Sequence, residues 1–160
     1  MRSESEVTIA IQNYSDLVRR LCMIHLKSYA DTEDIFQTVF LKYALHSSPF
    51  ESKEHEKAWF IRVTINACKD LLKSFFRRRV TTLDQLPDQP AEMNGDYREL
   101  WEAILSLPPK YREVVYLHYY EEYTAPEIGQ ITGRKTNTVY TLLTRARQML
   151  RERLGGDALE

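Results

Sequence analysis

A chain of 160 residues has room for one ordinary domain or two small ones, and 43% hydrophobic with 28% charged residues is the balance of a globular protein. Five glycines and six prolines are too few for a turn-rich β-sandwich, and two cysteines make no disulfide framework. The formal charge of −1 gives, by itself, no argument for a nucleic-acid or membrane partner.

The first stretch, "SESEVTIAIQNYSDLVRRLCMIHL", opens with Ser3 and Glu6 in capping-box spacing. Tyr14, Leu17, Val18, Leu21 and Cys22 then recur on one helical face. Cys22 and His25 have a C-x-x-H spacing, but no second ligand pair follows, so no metal site is expected. Cys22 and Cys68 both sit in apolar patterns and are expected to be buried, reduced thiols of a cytoplasmic protein. The N-terminus has no signal-peptide core, and no window reaches the about 20 apolar residues of a membrane span.

"DTEDIFQTVFLKYALH" predicts a second helix, with Asp31 as its cap and Ile35, Phe36, Val39, Phe40 and Tyr43 as its buried stripe. "SSPFESKEHEK" breaks the period and reads as a loop. A long third helix follows in "AWFIRVTINACKDLLKSFFRRR". Arg62, Asn66, Lys69, Lys73 and Arg77 fall on one narrow stripe, while the other faces carry Trp59, Phe60, Ile61, Val63, Ile65, Ala67, Leu71, Leu72, Phe75 and Phe76. Such a helix is well buried and exposes a single, basic strip.

"VTTLDQLPDQPAEMNGDY" has prolines, a glycine, four acidic residues and no sustained period, which marks a linker. The expected fold is all-α: two small helical domains, residues 1–79 and 97–160, joined by a flexible linker over 80–96, the second carrying a helix-turn-helix.

In the second part, Leu100, Trp101, Ile104, Leu105 and Leu107 form one face of a helix that Pro108 and Pro109 end. The next helix buries Val114, Val115 and Leu117, with Tyr111 and Tyr119. "TAPEIGQITG" predicts a short helix capped by Thr124, with Pro126 in its first turn and Gly133 as a left-handed stop. "GRKTNTVYTLLTRARQML" predicts the last helix, with Val139, Leu142, Leu143, Ala146 and Leu150 inward. Two helices joined by a tight glycine turn are the helix-turn-helix arrangement. Gly129 is expected where the helices cross closely. The second helix would then expose Arg134, Lys135, Thr136, Asn137, Thr138, Tyr140, Thr141, Thr144 and Arg145, small polar groups for base edges and cations for phosphates.

The order of these segments resembles the RNA polymerase sigma factors, specifically the extracytoplasmic-function (ECF) group. "DTEDIFQTVFLKYA" is similar to the family's second-region helix, "AWFIRVTINACKDLLKSFFRRR" to the promoter-reading helix after it, and "LWEAILSLPPKYREVVYLHYYEEYTAPEIGQITGRKTNTVYTLLTRARQMLRERL" to the fourth region almost end to end. The resemblance implies that Asp34, Gln37, Thr38 and Leu41 bind core RNA polymerase. It implies that Arg62, Asn66, Lys69 and Lys73 lie on the minus-ten promoter element. The loop over 46–57 would take up an unstacked base, with Phe50 and Trp59 as pocket walls, Trp59 being equally a core residue. The helix-turn-helix would bind the minus-thirty-five element, and the acidic linker, with Asp84, Asp88, Glu92 and Asp96, would occupy a path meant for RNA. The implied partners are core polymerase, promoter DNA and an anti-sigma protein, with no membrane insertion, no small-molecule substrate and no cofactor. The chain departs from the pattern at Gly129, where alanine is usual, at Arg134, Lys135 and Tyr140, and at Lys73, where arginine is usual.

The near-zero net charge is then a sum of local excesses. Arg62, Lys69, Lys73 and Arg77–Arg79 are offset by the acidic linker, and the basic residues of 134–153 stand apart from both. The competing reading is a stand-alone helix-turn-helix regulator, which needs no polymerase. An enzyme is not expected, because no phosphate loop, metal set or nucleophile–base pair is present.

Overall fold

The computed structural model describes residues 1–78 and 95–154, with side chains for 1–74 and 98–153. These residues form seven α-helices and no strand. They are α1 (Glu4–Leu26), α2 (Tyr29–Leu45), α3 (Lys53–Arg78), α4 (Gly95–Leu105), α5 (Pro109–Val115), α6 (Ala125–Thr132) and α7 (Thr136–Leu154). The chain divides into two compact units, residues 1–87 and 88–160. The linker expected over 80–96 lies outside the described residues, except that α4 already begins at Gly95.

In the first unit, α1 starts on the expected capping box: the Glu6 N–H donates to Ser3 Oγ at 3.1 Å, and the Glu6 carboxylate accepts from the Ser3 N–H. The Ser3 N–H, and after it the Arg2 guanidinium, hold the Glu6 carboxyl below its ordinary value. Lys27 takes the left-handed conformation (φ 52°) and ends α1, so only a two-residue corner separates it from α2. The cap of α2 is Ser28, not Asp31. The Asp31 N–H donates to Ser28 Oγ at 3.2 Å, which leaves Asp31 inside the first turn, where its charge meets the positive end of the dipole.

The loop before α3 is shorter than expected. The His55 N–H donates to Ser52 Oγ at 3.0 Å, so the helix begins at Lys53 and only residues 46–52 are irregular. Leu17, Val18, Leu21 and Ile24 of α1, Ile35, Val39 and Phe40 of α2, and Phe60, Ile61 and Ile65 of α3 make the core. Phe36 is only half-buried, and the Arg19 guanidinium lies 4.1 Å over its ring and covers part of it. Val63, Leu71 and Leu72 are half-buried too, so α3 is less enclosed than its composition implied. Phe75, Phe76 and Arg77 have side chains outside the described residues.

The second unit packs α4, α5 and α6 on α7 around Trp101, Ile104, Val114, Val115, Leu117, Ile128, Val139, Leu143 and Leu150. Pro108 and Pro109 break α4 from α5 as expected. Beyond α5 the chain widens into a π-helical turn, Tyr116–Tyr120. Tyr116, rather than Tyr119, is fully buried. Tyr119 is half-buried and its hydroxyl accepts from Arg147 Nε at 2.7 Å.

Thr124 and Glu127 form a second capping box on α6, and Gly133 (φ 76°) ends that helix. Gly129 lies where the turn and the start of α7 approach α6 closely. A Cβ there would stand 2.7 Å from the Arg134 carbonyl oxygen and 3.6 Å from the Thr136 nitrogen. Alanine gains about 1 kcal/mol of helix propensity but forces that backbone contact apart, which costs about 1–3 kcal/mol. Gly129→Ala is therefore expected to destabilise the second unit by about 1 kcal/mol, the middle of a net range of about 0–2 kcal/mol. Urea unfolding of the full chain checks this, and an unchanged or raised midpoint would count against it.

Candidate nucleic-acid interface

Three exposed surfaces collect the residues singled out in the sequence. On α3, Arg62, Asn66 and Lys73 are exposed and Lys69 is half-buried, all on the side away from Phe60, Ile61 and Ile65. The stripe is therefore a true solvent face and not a set of inward polar groups.

The loop over 46–52 packs on Tyr43 of α2 and on Trp59, one turn before Arg62 on α3. Phe50 and Trp59 are half-buried and meet edge to face, with centroids 5.8 Å apart. The sequence left Trp59 between core and site, and it is both: its ring also stands edge-on to buried Phe60 at 5.1 Å. His46 lies 5.3 Å from Phe50 and 5.1 Å from Trp59, and Tyr43 is parallel to Phe50 at 6.3 Å. His46 and Tyr43 were not expected here. Glu56 fixes the base of the cluster by accepting from the Tyr14 hydroxyl at 2.9 Å and the Tyr43 hydroxyl at 3.2 Å. Burial and that carboxylate push the Tyr43 hydroxyl up, so it remains a donor. Stacked rings held from below by hydrogen bonds offer a rigid apolar wall of the kind an unstacked base requires.

In the helix-turn-helix, α7 presents Asn137, Thr138, Tyr140, Thr141, Thr144 and Arg145 to solvent, with Thr136 half-buried in its first turn. The Thr141 hydroxyl donates to the Asn137 carbonyl at 3.0 Å and the Thr144 hydroxyl to the Tyr140 carbonyl at 2.9 Å. Each hydroxyl proton is thus committed to the helix, and its lone pairs face outward as acceptors. Asn137, Thr138, Thr141 and Arg145 line an open groove of ≈ 390 Å³ together with Lys110 of α5, a cation the sequence reading missed.

Arg134 and Lys135 precede α7 and belong to the turn. Lys135 is exposed, but Arg134 is half-buried and its guanidinium lies 3.8 Å from the carboxylate of Glu113, itself 1% exposed. Arg134 therefore stands in the turn and not on the reading helix, ties that turn to the core, and lines the same groove as Asn137 and Arg145.

On α2, Asp34, Gln37, Thr38 and Leu41 are all exposed on one face, and the Thr38 hydroxyl donates to the Asp34 carbonyl. Leu41 and Leu45 are each 61% exposed. Solvent-facing leucines beside uncharged polar groups and one carboxylate are the make-up of a protein-binding face.

Cys22 is buried with Cys68 as its neighbour, and that thiol together with burial pushes it up, so it stays protonated and inert. The His25 ring nitrogen Nδ1 lies 2.8 Å from the Leu21 carbonyl. Among the described residues, no group of three or more His, Cys, Asp or Glu is placed to hold a metal ion, and no helix is long and apolar enough to cross a membrane.

Residues 10–79 match the family described as Sigma-70 region 2, and residues 97–150 match Sigma-70, region 4. The chain is 29% identical to "RNA polymerase sigma factor SigV" of Bacillus subtilis, covering 84% of this chain and 82% of that one. It is 30% identical to "RNA polymerase sigma-E factor" of Streptomyces coelicolor, covering 78% and 72%. "ECF RNA polymerase sigma factor SigW" of Bacillus subtilis is 25% identical over 88% and 84%. Among solved structures, the sigma factor RpoE in complex with the anti-sigma factor NepR from Bartonella quintana shares the fold at TM-score 0.79 and 19% identity, covering 95% of this chain and 98% of that one. CnrH in complex with the cytosolic domain of CnrY does so at TM-score 0.63 and 18% identity, covering 96% and 90%.

Proposed function

The chain belongs to the ECF group of RNA polymerase sigma factors, and from that premise we propose which of its surfaces does what. As a sigma factor it binds core RNA polymerase and promoter DNA and directs promoter-specific transcription. The family is one of non-catalytic initiation factors, so the surfaces above are read as binding surfaces.

Residues 1–79 form the lobe for core polymerase and the minus-ten element, and residues 97–160 the lobe for the minus-thirty-five element. The observation that carries this assignment is the pair of polar strips, on α3 and α7, each on a helix whose opposite face is core. Arg62, Lys69 and Lys73 meet phosphates, and Asn66 meets a base or the backbone. The aromatic wall of Phe50 and Trp59 takes an unstacked base and so aids strand opening. On α7 the outward lone pairs of Thr141 and Thr144 suit the exocyclic amines of adenine and cytosine, and Asn137 suits adenine. Lys110 and Arg145 flank them as phosphate anchors. Asp34, Gln37, Thr38 and Leu41, extended by Leu45, form the polymerase face.

Transcription by core polymerase and the purified chain on a random promoter library tests the whole assignment and returns both elements. Absence of any enriched sequence would overturn it. Tight, specific duplex binding without core polymerase would instead favour a stand-alone regulator. Arg62→Ala with Lys73→Ala is expected to lower the salt slope of holoenzyme binding by about 2, because each lost phosphate contact removes about 0.9. An unchanged slope would remove these two residues from the DNA face. The solved relative held by an anti-sigma factor motivates the same kind of partner here. A pull-down from native cells that recovers no such protein would count against that.

A further inference from the structure

Residue Arg2 gathers an unusual number of contacts around the loop that carries Phe50. Its backbone N–H donates to the Ala44 carbonyl at 2.8 Å, satisfying one of the orphan carbonyls at the end of α2. Its Nη2 donates to the Ser48 carbonyl at 2.8 Å, inside the loop, and its Nη1 pairs with Glu6 Oε2 at 3.2 Å, on the first turn of α1. The guanidinium carbon stands 4.5 Å from the Tyr43 centroid and 5.0 Å from the Phe50 centroid. One side chain therefore ties together α1, the end of α2, the loop backbone and the ring of Phe50.

The side chain is only 11% exposed, although it sits at the edge of a unit where an arginine could swing into water. Its Nε is buried with no hydrogen-bond partner. Leaving that donor unmet is unfavourable, so the loop carbonyl and the two rings must outweigh it. Arg2 also borders an open groove of ≈ 420 Å³ that Asn13, Phe50, Lys53 and Glu56 help to line.

We propose that Arg2 is a positioning residue for promoter opening: it holds the 46–52 loop and the Phe50 ring in the conformation that captures the unstacked base. This rests on the reading of Phe50 as a wall of that pocket. The guanidinium is committed to Glu6, Ser48 and two rings, so its effect on DNA runs through Phe50 and not through a phosphate contact of its own.

The test uses holoenzyme assembled with the full chain. Two labelled probes are drawn from the library-selected promoters: a single non-template strand spanning the minus-ten element, and a duplex holding only the minus-thirty-five element. Arg2→Ala is expected to weaken single-strand binding about five- to tenfold and leave duplex binding unchanged. Arg2→Lys keeps a cation over the rings but not the fork geometry, and should recover part of the loss. Single-strand binding by Arg2→Ala at the parent level would overturn the proposal, as would equal loss on both probes. Should Arg2→Ala fail to fold, Arg2→Lys carries the test, and parent-level binding by it would overturn the proposal. Phe50→Ala separates the two layers. If it weakens the single-strand probe and Arg2→Ala does not, only the role of Arg2 falls. If it has no effect, the pocket reading falls, and the role of Arg2 with it.

Discussion

Replacing Asn137, Thr141 and Arg145 together by alanine is expected to reduce promoter-specific transcription by at least about a hundredfold. Each well-made base contact discriminates by about 1–3 kcal/mol, and the triple change removes two candidate base readers and one phosphate anchor. All three side chains are exposed on α7 and line the same groove, so their loss leaves no buried gap. Alanine is also the best helix former, and Asn137 contributes its backbone carbonyl, not its side chain, to the Thr141 bond. Stability and core-polymerase binding should therefore stay at the parent level. The measurement is run-off transcription from a library-selected promoter, with core binding measured alongside. Unchanged transcription would show that α7 is not the reading helix.

The second large effect is on stability. Phe60 is fully buried and is the hub of the first unit's aromatic cluster. It stacks on Tyr14 at 4.5 Å and meets Phe40 at 5.3 Å, Tyr43 at 5.0 Å and Trp59 at 5.1 Å. Phe60→Ala removes those contacts and leaves a cavity among rigid rings that cannot collapse into it. Such changes cost about 3–5 kcal/mol, a large share of the 5–15 kcal/mol typical of a domain. The first unit's melting midpoint should fall by more than about 10 °C. The second unit has its own core around Trp101 and should melt as before. Calorimetry of the full chain reads both. A fall of only a degree or two would mean that the aromatic cluster is not the keystone of the unit. Minus-ten single-strand binding should be lost with the first transition, since Tyr43 and Trp59 rest on Phe60.

Where the sequence reading succeeded, the signal was local. The stripe on α3, the inward face of α7, the Ser3–Glu6 capping box, the Thr124 cap and the proline break between α4 and α5 depend on residues at most four apart. Where it slipped, two local signals competed. Asp31 and Ser28 are both good caps, and the left-handed turn at Lys27 decides for Ser28. Ser52 was read as loop, yet it starts α3 and shortens the irregular segment to seven residues, 46–52. A second capping serine ahead of "KEHEK" was the signal that would have found it.

The site divides in the same way. Asn137, Thr141, Arg145, Arg62, Asn66 and Lys73 are exposed by helical period alone, so the sequence places them. Lys110 reaches the α7 groove only because α5 packs across α7, and His46 meets Trp59 only because α2 and α3 close on each other. Arg134 matched the basic pattern of a reading helix, and the structure adds a buried carboxylate 21 residues earlier, Glu113, that also pairs with it.

By itself, then, the amino-acid order determined the helices, their buried faces, the two polar strips and the family. Those follow from short-range geometry, in which each turn constrains the next, and from motifs that keep their spacing. Only the tertiary structure decided that Arg2 bonds to a loop 46 residues away, that a Cβ on Gly129 would meet a carbonyl in the following turn, and that Arg134 pairs with buried Glu113. Contacts of that kind form between segments whose separation no periodicity encodes. They exist only after the hydrophobic faces have closed, when desolvation makes each remaining polar group find a partner.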